Sequence, residues 1–215
     1  MDIFGEALLA YFHGDNHELY MENIKGEIYP HPLGKYFRTY KQLDKIEKKI
    51  IALSCGKILD VGCGAGNYIS FLNKKGKVFG IDISNKAIKV CKERGLENVK
   101  VADIFNFKTK EKFDTIVLLE NNLGMSESPS KAKKLLKILG SLLNKDGQIL
   151  TNERQVRNGN YFDGKIRMHW KNKKSGPIYW ISFNSKFLSK MCKEVGMKMQ
   201  VLDKDKYQYL AKITN

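Results

Sequence analysis

Cysteines, prolines and arginines are all few in this sequence. The 215 residues include 4 Cys, 4 Pro and 4 His, and only 5 of the 38 Lys and Arg residues are Arg. None of Cys55, Cys63, Cys91 and Cys192 stands in a C-x-x-C pair, and His13, His17, His31 and His169 do not cluster with them. That spacing offers neither a structural zinc site nor a disulfide framework, so no metal is expected. Unclustered thiols suit a reducing compartment. Few prolines and 18 Gly exclude a collagen-like or low-complexity chain. No apolar run reaches the ~20 residues of a membrane-spanning helix. The start of the chain carries Asp2 and Glu6 rather than a basic signal-peptide region. A cytoplasmic protein that does not bind membranes is the expectation. The shortage of Arg also bears on the net charge of +15. A charge this high points toward polyanions, RNA above all. Dedicated phosphate and base readers lean on Arg, however, and here the lysines spread from Lys25 to Lys212 without a dominant block. A solvated Lys-rich surface and an RNA-binding one both stay open, and nothing in the pattern specifies an oligomeric state.

With 42% hydrophobic residues and no linker-like stretch, the chain reads as one domain spanning 1–215. Three zones differ in pattern. Residues 1–56 read as a helical N-terminal cap. Ile3, Phe4, Ala7, Leu8 and Tyr11 recur at helical spacing, and a second helix is expected over 35–53 after a Pro-broken stretch. Residues 57–151 alternate strands and helices. Strands are expected at 57–61, 77–81, 99–102, 113–119 and 148–151, with helices at 67–74, 85–94 and 130–143 between them. This order means βαβ crossovers and a parallel sheet. Residues 152–215 read as a β-ribbon (165–170 and 178–183), a helix at 185–195, and a closing hairpin of 198–202 and 208–213.

The chemistry concentrates in Ile58-Leu-Asp-Val-Gly-Cys-Gly-Ala-Gly-Asn-Tyr68, a buried strand running through three glycines into a helix. Glycine lets a ligand lie against the backbone, and the helix start offers free N–H groups. The dinucleotide fingerprint G-x-G-x-x-G would need its third glycine at Asn67. Gly62, Gly64 and Gly66 instead give G-x-G-x-G, which counts against a nicotinamide-dependent oxidoreductase. Asp60, two residues before the first glycine, suits a cationic ammonium group better than a pyrophosphate. Asp82 ends the second strand, twenty residues after Gly62, where a carboxylate accepts from both ribose hydroxyls. Asp103 ends the third strand, and Glu120-Asn-Asn-Leu123 follows the fourth.

This ordered set resembles the class I S-adenosylmethionine-dependent methyltransferases, strongly over 57–151. The resemblance implies an α/β, Rossmann-like three-layer sandwich. Its sheet would be seven-stranded and mostly parallel, with an antiparallel C-terminal hairpin and the N-terminal cap added. It implies S-adenosylmethionine as cofactor and S-adenosylhomocysteine as product. Residues Asp60, Gly62, Cys63, Gly64, Gly66 and Asn67 would hold the methionine moiety. Asp82 and Ile83 would hold the ribose and adenine, with Asp103 and Ile104 flanking the adenine. Glu120, Asn121 and Leu123 would line the sulfonium end.

Methyl transfer is an in-line displacement that needs positioning and water exclusion more than any obligatory side chain. No catalytic residue is therefore assigned; Glu153 and His169 are the base candidates. The segment after the fourth strand lacks the Asn/Asp-Pro-Pro-aromatic element of many amino-methylating enzymes, and no Cys stands where a cytosine-C5 enzyme would need it. Substrate contacts are expected from the segments that vary within such folds. These are His31, Tyr36, Phe37 and Arg38 in the cap, and Arg154, Tyr161, Arg167, Trp170 and Trp180 around the ribbon. A small-molecule acceptor is the first expectation. An RNA or ribonucleoprotein acceptor is the second, and a non-catalytic cofactor-binding protein the third.

Overall fold

The computed structural model describes residues 2–215. In chain order the elements are α1 (Ile3–Phe12), β1 (Leu19–Glu22), β2 (Ile28–Pro30), α2 (Lys45–Leu53), β3 (Gly56–Val61), α3 (Ile69–Leu72), β4 (Gly76–Asp82), α4 (Asn85–Glu93), β5 (Val99–Val101) and β6 (Phe113–Leu118). They continue with α5 (Pro129–Leu142), β7 (Leu143–Arg154), β8 (Tyr161–Trp170), β9 (Lys173–Lys174), β10 (Ile178–Phe183), α6 (Ser185–Glu194), β11 (Lys198–Lys204) and β12 (Gln208–Thr214).

The larger sheet has seven strands in the order β11-β12-β7-β6-β3-β4-β5. Strands β7, β6, β3, β4 and β5 pair in parallel, whereas β12 and β11 add antiparallel. Its central strands are apolar on both faces, as burial on both sides requires. Ile116 and Leu118 of β6 join Leu135 and Leu139 of α5 and Met191 of α6. Val117, between them in sequence, faces Ile46 and Ile50 of α2 and Ile88 of α4 on the opposite side. The result is the three-layer Rossmann-like sandwich that the resemblance implies.

Residues 1–56 are not mainly helical, and this corrects the sequence reading. β1 and β2 pair as a hairpin, and β1 lies antiparallel to β8, so a second sheet of five strands forms from β10-β8-β1-β2 with β9 on β8. The helix expected over 35–53 is confined to α2. Short 3₁₀ turns at Leu33–Phe37 and Tyr40–Gln42 precede it, with Arg38 and Thr39 extended. Side chains set these limits. Thr39 and Gln42 form one reciprocal capping box, and Asp44 and Glu47 form the next, which starts α2. Such local bonds compete with a continuous helix.

α1 is integral to the core rather than a detachable cap. Ile3, Ala7 and Leu8 pack with Ala87 and Val90 on the outer stripe of α4 and with Leu19 and Trp170 of the second sheet. Among the described residues no helix is long and apolar enough to cross a membrane. Leu8 has no exposed surface. Leu8→Ala is therefore expected to lower stability by ~2–5 kcal/mol in a denaturant titration. A loss under ~0.5 kcal/mol would mean that α1 does not belong to the core.

Candidate active site

The glycine turn leaves β3 at Val61 and is fastened to the adjacent strand at once. The N–H groups of Gly62 and Cys63 both donate to the Ile81 carbonyl, at 2.8 and 3.0 Å. Gly62 and Gly64 lie at φ +76° and +55°, in the left-handed region that favours glycine. The Gly64 N–H donates to Asp82 Oδ2 at 2.8 Å, and the Ser84 N–H donates to Oδ1 at 2.8 Å. Asp82 thus ties the turn to the start of α4 with lone pairs left over. A Cβ on Gly64 would meet only the Tyr36 ring, at 3.8 Å, so the backbone there faces open space. Gly66 differs from its neighbours. A Cβ there would strike Leu96 at 2.3 Å, and the residue does not line the cavity, so its lack of a side chain serves packing.

A cavity of about 940 Å³ opens at the carboxyl ends of β3, β4, β5 and β6, where ligands bind in open α/β sheets. Gly62, Cys63, Gly64, Asn67, Asp82, Ile83, Asp103, Ile104, Glu120 and Asn121 line it, as do His31, Tyr36 and Arg154. Asp60 lies beneath the lining, and Leu123 belongs to the core. Among the described residues, three buried polar atoms around the turn have no hydrogen-bond partner: Asp60 Oδ2, Asn67 Nδ2 and Asn67 Oδ1. Burial and the nearby Asp82 charge push the Asp60 carboxyl up to about 7. A cationic group bound above the turn would restore its charge, and Asn67 has donor and acceptor free. These residues fit an amino-acid moiety, and Asp82 and Asp103 at the strand ends fit a nucleoside. Hydrogen bonding with Cys91, followed by burial, pushes the Cys63 thiol well above its ordinary value, so it stays neutral. No group of three or more His, Cys, Asp or Glu placed to hold a metal occurs among the described residues.

The segment after β6 is strained and held from several sides. Glu120 and Asn121 are both at φ 60°, a conformation costly for residues with side chains. The Glu120 N–H donates to Asn152 Oδ1 at 3.0 Å, and the Asn121 N–H to the Asn152 carbonyl at 3.1 Å. The Trp180 indole donates to the Asn121 carbonyl at 3.0 Å, and the Arg154 N–H to Asn121 Oδ1 at 3.0 Å. The Glu120 carboxylate accepts from Arg38 and Tyr68, both at 2.9 Å, and lies 3.5 Å from Lys35 Nζ. Burial works to raise this carboxyl, but Lys35, Tyr68 and Arg38 together hold it below its ordinary value. Arg38 also pairs with Glu47. It braces Glu120 and does not line the cavity, contrary to its expected substrate role.

The second sheet roofs the cavity. Met21, Phe162, Ile166, Met168, Ile178 and Trp180 face inward. Glu22, Arg167, His169 and Lys174 face outward and pair with one another. His169, expected as a base, is therefore spent on Glu22 at 2.7 Å on the wrong face. Trp170 is core beside α1 rather than a substrate contact. Phe37 stacks on Phe12 and lies under the Arg94 guanidinium, away from the cavity. Glu153 is fully buried opposite Tyr209, with Oε1 bonded to Thr151 at 2.6 Å and Oε2 without a partner. It cannot reach an acceptor. Sequence reasoning missed Tyr68, Met21, Tyr29 and Met168 as lining residues. Tyr68 ends the glycine motif and was within reach of inspection, whereas the others depend on a sheet pairing that no motif announces.

Residues 53–215 match the family model for a methyltransferase domain. Over the whole fold the chain is similar to a SAM-dependent methyltransferase from Bacteroides fragilis solved with S-adenosyl-L-homocysteine. The two are 27% identical with a TM-score of 0.90, and the match covers 99% of this chain and 94% of that one. A tRNA (carboxymethyluridine(34)-5-O)-methyltransferase of Arabidopsis thaliana is 30% identical over 132 residues, which is 61% of this chain and 31% of that protein. The chain spans less than a third of the length of the curated relatives it matches. A Clostridium acetobutylicum S-adenosylmethionine-dependent methyltransferase shares the fold, with a TM-score of 0.59 at 17% identity, over 81% of this chain and 94% of that one. The chain belongs to the S-adenosylmethionine-dependent methyltransferase domain family, and S-adenosylmethionine is its cofactor.

Asp82→Ala removes a carboxylate that braces the turn and lines the cavity at the end of β4. It is expected to weaken S-adenosylmethionine binding by ~10–100-fold in a calorimetric titration of cofactor-stripped protein; unchanged affinity would remove Asp82 from the site. Burial pushes the Glu153 carboxyl up to about 8, from 4.5 in the unfolded chain. The folded state then binds the extra proton, so this group's stabilising contribution is full below pH 4.5 and is lost as pH rises toward 8. Glu153→Gln should flatten that slope and gain stability over wild type from pH 6 to about 8 in thermal melts. A parallel pH dependence in the variant would contradict a proton on Glu153.

Proposed function

We propose that the protein transfers a methyl group from S-adenosylmethionine to a small-molecule acceptor bound between the glycine turn and the second sheet. The observation that carries this reading is the roof. Strand β1 pairs with β8 so that Met21, Met168, Ile166, Ile178, Phe162 and Trp180 close the space above the cofactor residues with apolar surface. A cavity of about 940 Å³ lies within the range of small-ligand sites and leaves room for an acceptor beside the cofactor. A nucleic-acid strand would be served by an open basic groove with exposed stacking platforms. Here two of the cations that line the cavity are neutralised, Lys35 by Glu120 and Lys131 by Glu127.

When bound, the cofactor supplies an electrophilic methyl group on a sulfonium. The chain's part is to hold, orient and dry. Asp60 and Asn67 provide unpaired polar atoms for the amino-acid end, and Asp82 and Asp103 provide carboxylates for the nucleoside. The strained Glu120–Asn121 segment fixes the floor beneath the acceptor. The apolar roof excludes water, which strengthens every polar contact inside.

A second reading, transfer to RNA, is favoured by the similarity to a tRNA methyltransferase and by the net charge of +15. The two separate in a transfer assay with methyl-labelled cofactor, offering total tRNA and a low-molecular-mass metabolite fraction at 50 and 200 mM salt. Label in the metabolite fraction, with rates within ~3-fold between the two salts, is expected. Label on tRNA, falling by ~10³-fold or more at the higher salt, would overturn the small-molecule reading.

A further inference from the structure

We propose that Tyr36 and His31 form the proton-accepting pair of the transfer, and that the acceptor is an uncharged apolar molecule presenting a hydroxyl group. This rests on the small-molecule reading above. Three observations converge on it.

The first is geometric. His31 Nε2 lies 2.8 Å from the Tyr36 hydroxyl, and both residues line the cavity together with Gly64 and Glu120. The His31 backbone is fixed by its N–H, which donates to the Leu19 carbonyl at 2.7 Å. The Tyr36 ring is fixed edge-on against Phe4, with centroids 5.0 Å apart. The pair therefore stands just after the β1–β2 hairpin, with Tyr36 in the 3₁₀ turn Leu33–Phe37, and lines the cavity beside Gly64.

The second concerns protons. Among the described residues the Tyr36 hydroxyl has no hydrogen-bond partner except His31, and in the proposed tautomer Tyr36 donates and His31 Nε2 accepts. Burial, and next the charge of Lys35, lower His31 to about 4, against the opposing pull of Glu120. The imidazole is thus neutral with Nε2 as a base. Burial, helped by Glu120 and Asp82, raises the Tyr36 phenol far above its ordinary value. The phenol releases a proton only as it receives one.

The third concerns charge. The carboxylates lining the cavity at its two ends are engaged: Glu120 by Lys35 and Arg38, and Glu127 by Lys131. The other lining carboxylates, Asp2, Asp82 and Asp103, gather at the ends of β4 and β5, where the nucleoside is proposed to lie, so the apolar roof side of the chamber suits a neutral hydroxyl better than an ammonium acceptor. In the step itself, a lone pair on the acceptor oxygen forms the new O–C bond while the C–S pair stays on sulfur. The hydroxyl proton passes to Tyr36 Oη as Tyr36's own proton passes to His31 Nε2. One positive charge leaves the sulfonium and one appears on the imidazole, beside Glu120.

The test uses full-length protein loaded with S-adenosylhomocysteine. Nitrogen NMR of histidine-labelled protein, with His31 assigned by His31→Gln, should show a neutral ring protonated on Nδ1 whose Nε2 signal moves in Tyr36→Phe. A ring protonated on Nε2, or doubly protonated at neutral pH, would overturn the pair. Naphthol and naphthylamine, matched in shape, are then offered with methyl-labelled cofactor. Transfer to naphthol is expected, slowed ~10²–10⁴-fold in kcat by His31→Gln. Calorimetric affinity for S-adenosylhomocysteine should stay within ~2-fold, and the naphthol KM should change little. Label on naphthylamine instead of naphthol, or undiminished kcat in His31→Gln, would overturn this proposal while leaving a small-molecule acceptor in place. Label on tRNA and on neither arene would remove both.

Discussion

The antiparallel pairing of Leu19–Glu22 with Arg167–Trp170 is the constraint on which the site depends. It joins residues about 150 apart in the chain, so its closure entropy is met only once the large sheet has formed. Everything above the glycine turn follows from it. Period-2 alternation puts Leu19, Met21, Met168 and Trp170 on the inner face and Glu22, Arg167 and His169 on the outer one. The apolar half becomes the roof and part of the α1 core, and the charged half becomes a solvent-facing ion cluster. Solvent-edge pairs such as the half-buried Arg167–Glu22 add modest stability at most. Their effect is to specify which face turns inward, because a one-residue slip would bury them.

Beneath the roof the electrostatics are set by a few buried groups. Glu47 is almost fully buried and Glu120 is half-buried. Both are tolerated because Arg38 and the Tyr68 hydroxyl reach the two of them. A buried carboxylate without such partners would be protonated or would destabilise the fold. Asp60 and Glu153 show that alternative, with carboxyls raised by burial and one oxygen each unpaired. The two differ in what surrounds them. Asp60 lies under a glycine turn open to a ligand, and Glu153 lies among Tyr209, Thr151 and core aliphatics.

The Glu120–Asn121 segment links floor and roof. Two successive non-glycine residues in left-handed backbone persist only where the surroundings over-determine them. Here β7 supplies Asn152, β10 supplies Trp180, and the glycine turn accepts two bonds from Asn122. Gly124 lets Trp180 approach, since a Cβ there would meet the indole nitrogen at 2.3 Å. Cofactor turn, strained segment and roof are thus one hydrogen-bonded body, which suits a reaction governed by alignment.

Local chemistry was legible without coordinates. The Gly62–Gly64 turn, the carboxylates Asp82 and Asp103, the βαβ order and the closing hairpin all follow from short-range rules of glycine freedom, strand-end position and apolar periodicity. The large sheet formed as those rules imply. What they could not supply was partnership between distant segments. Residues 19–22 and 28–30 are too short to declare themselves as strands, and Pro30 and Pro32 break the second. Trp170, His169 and Glu153 each read as a site residue until their faces were known. A side chain's face depends on the register of a strand far away in sequence, β1 for His169 and β12 for Glu153. Sequence alone therefore determined the cofactor turn and the order of the sheet, because those depend on neighbours a few residues apart. Only the tertiary structure decided which side chains face the cavity, because that depends on long-range pairing whose one-residue shift exchanges inside for outside.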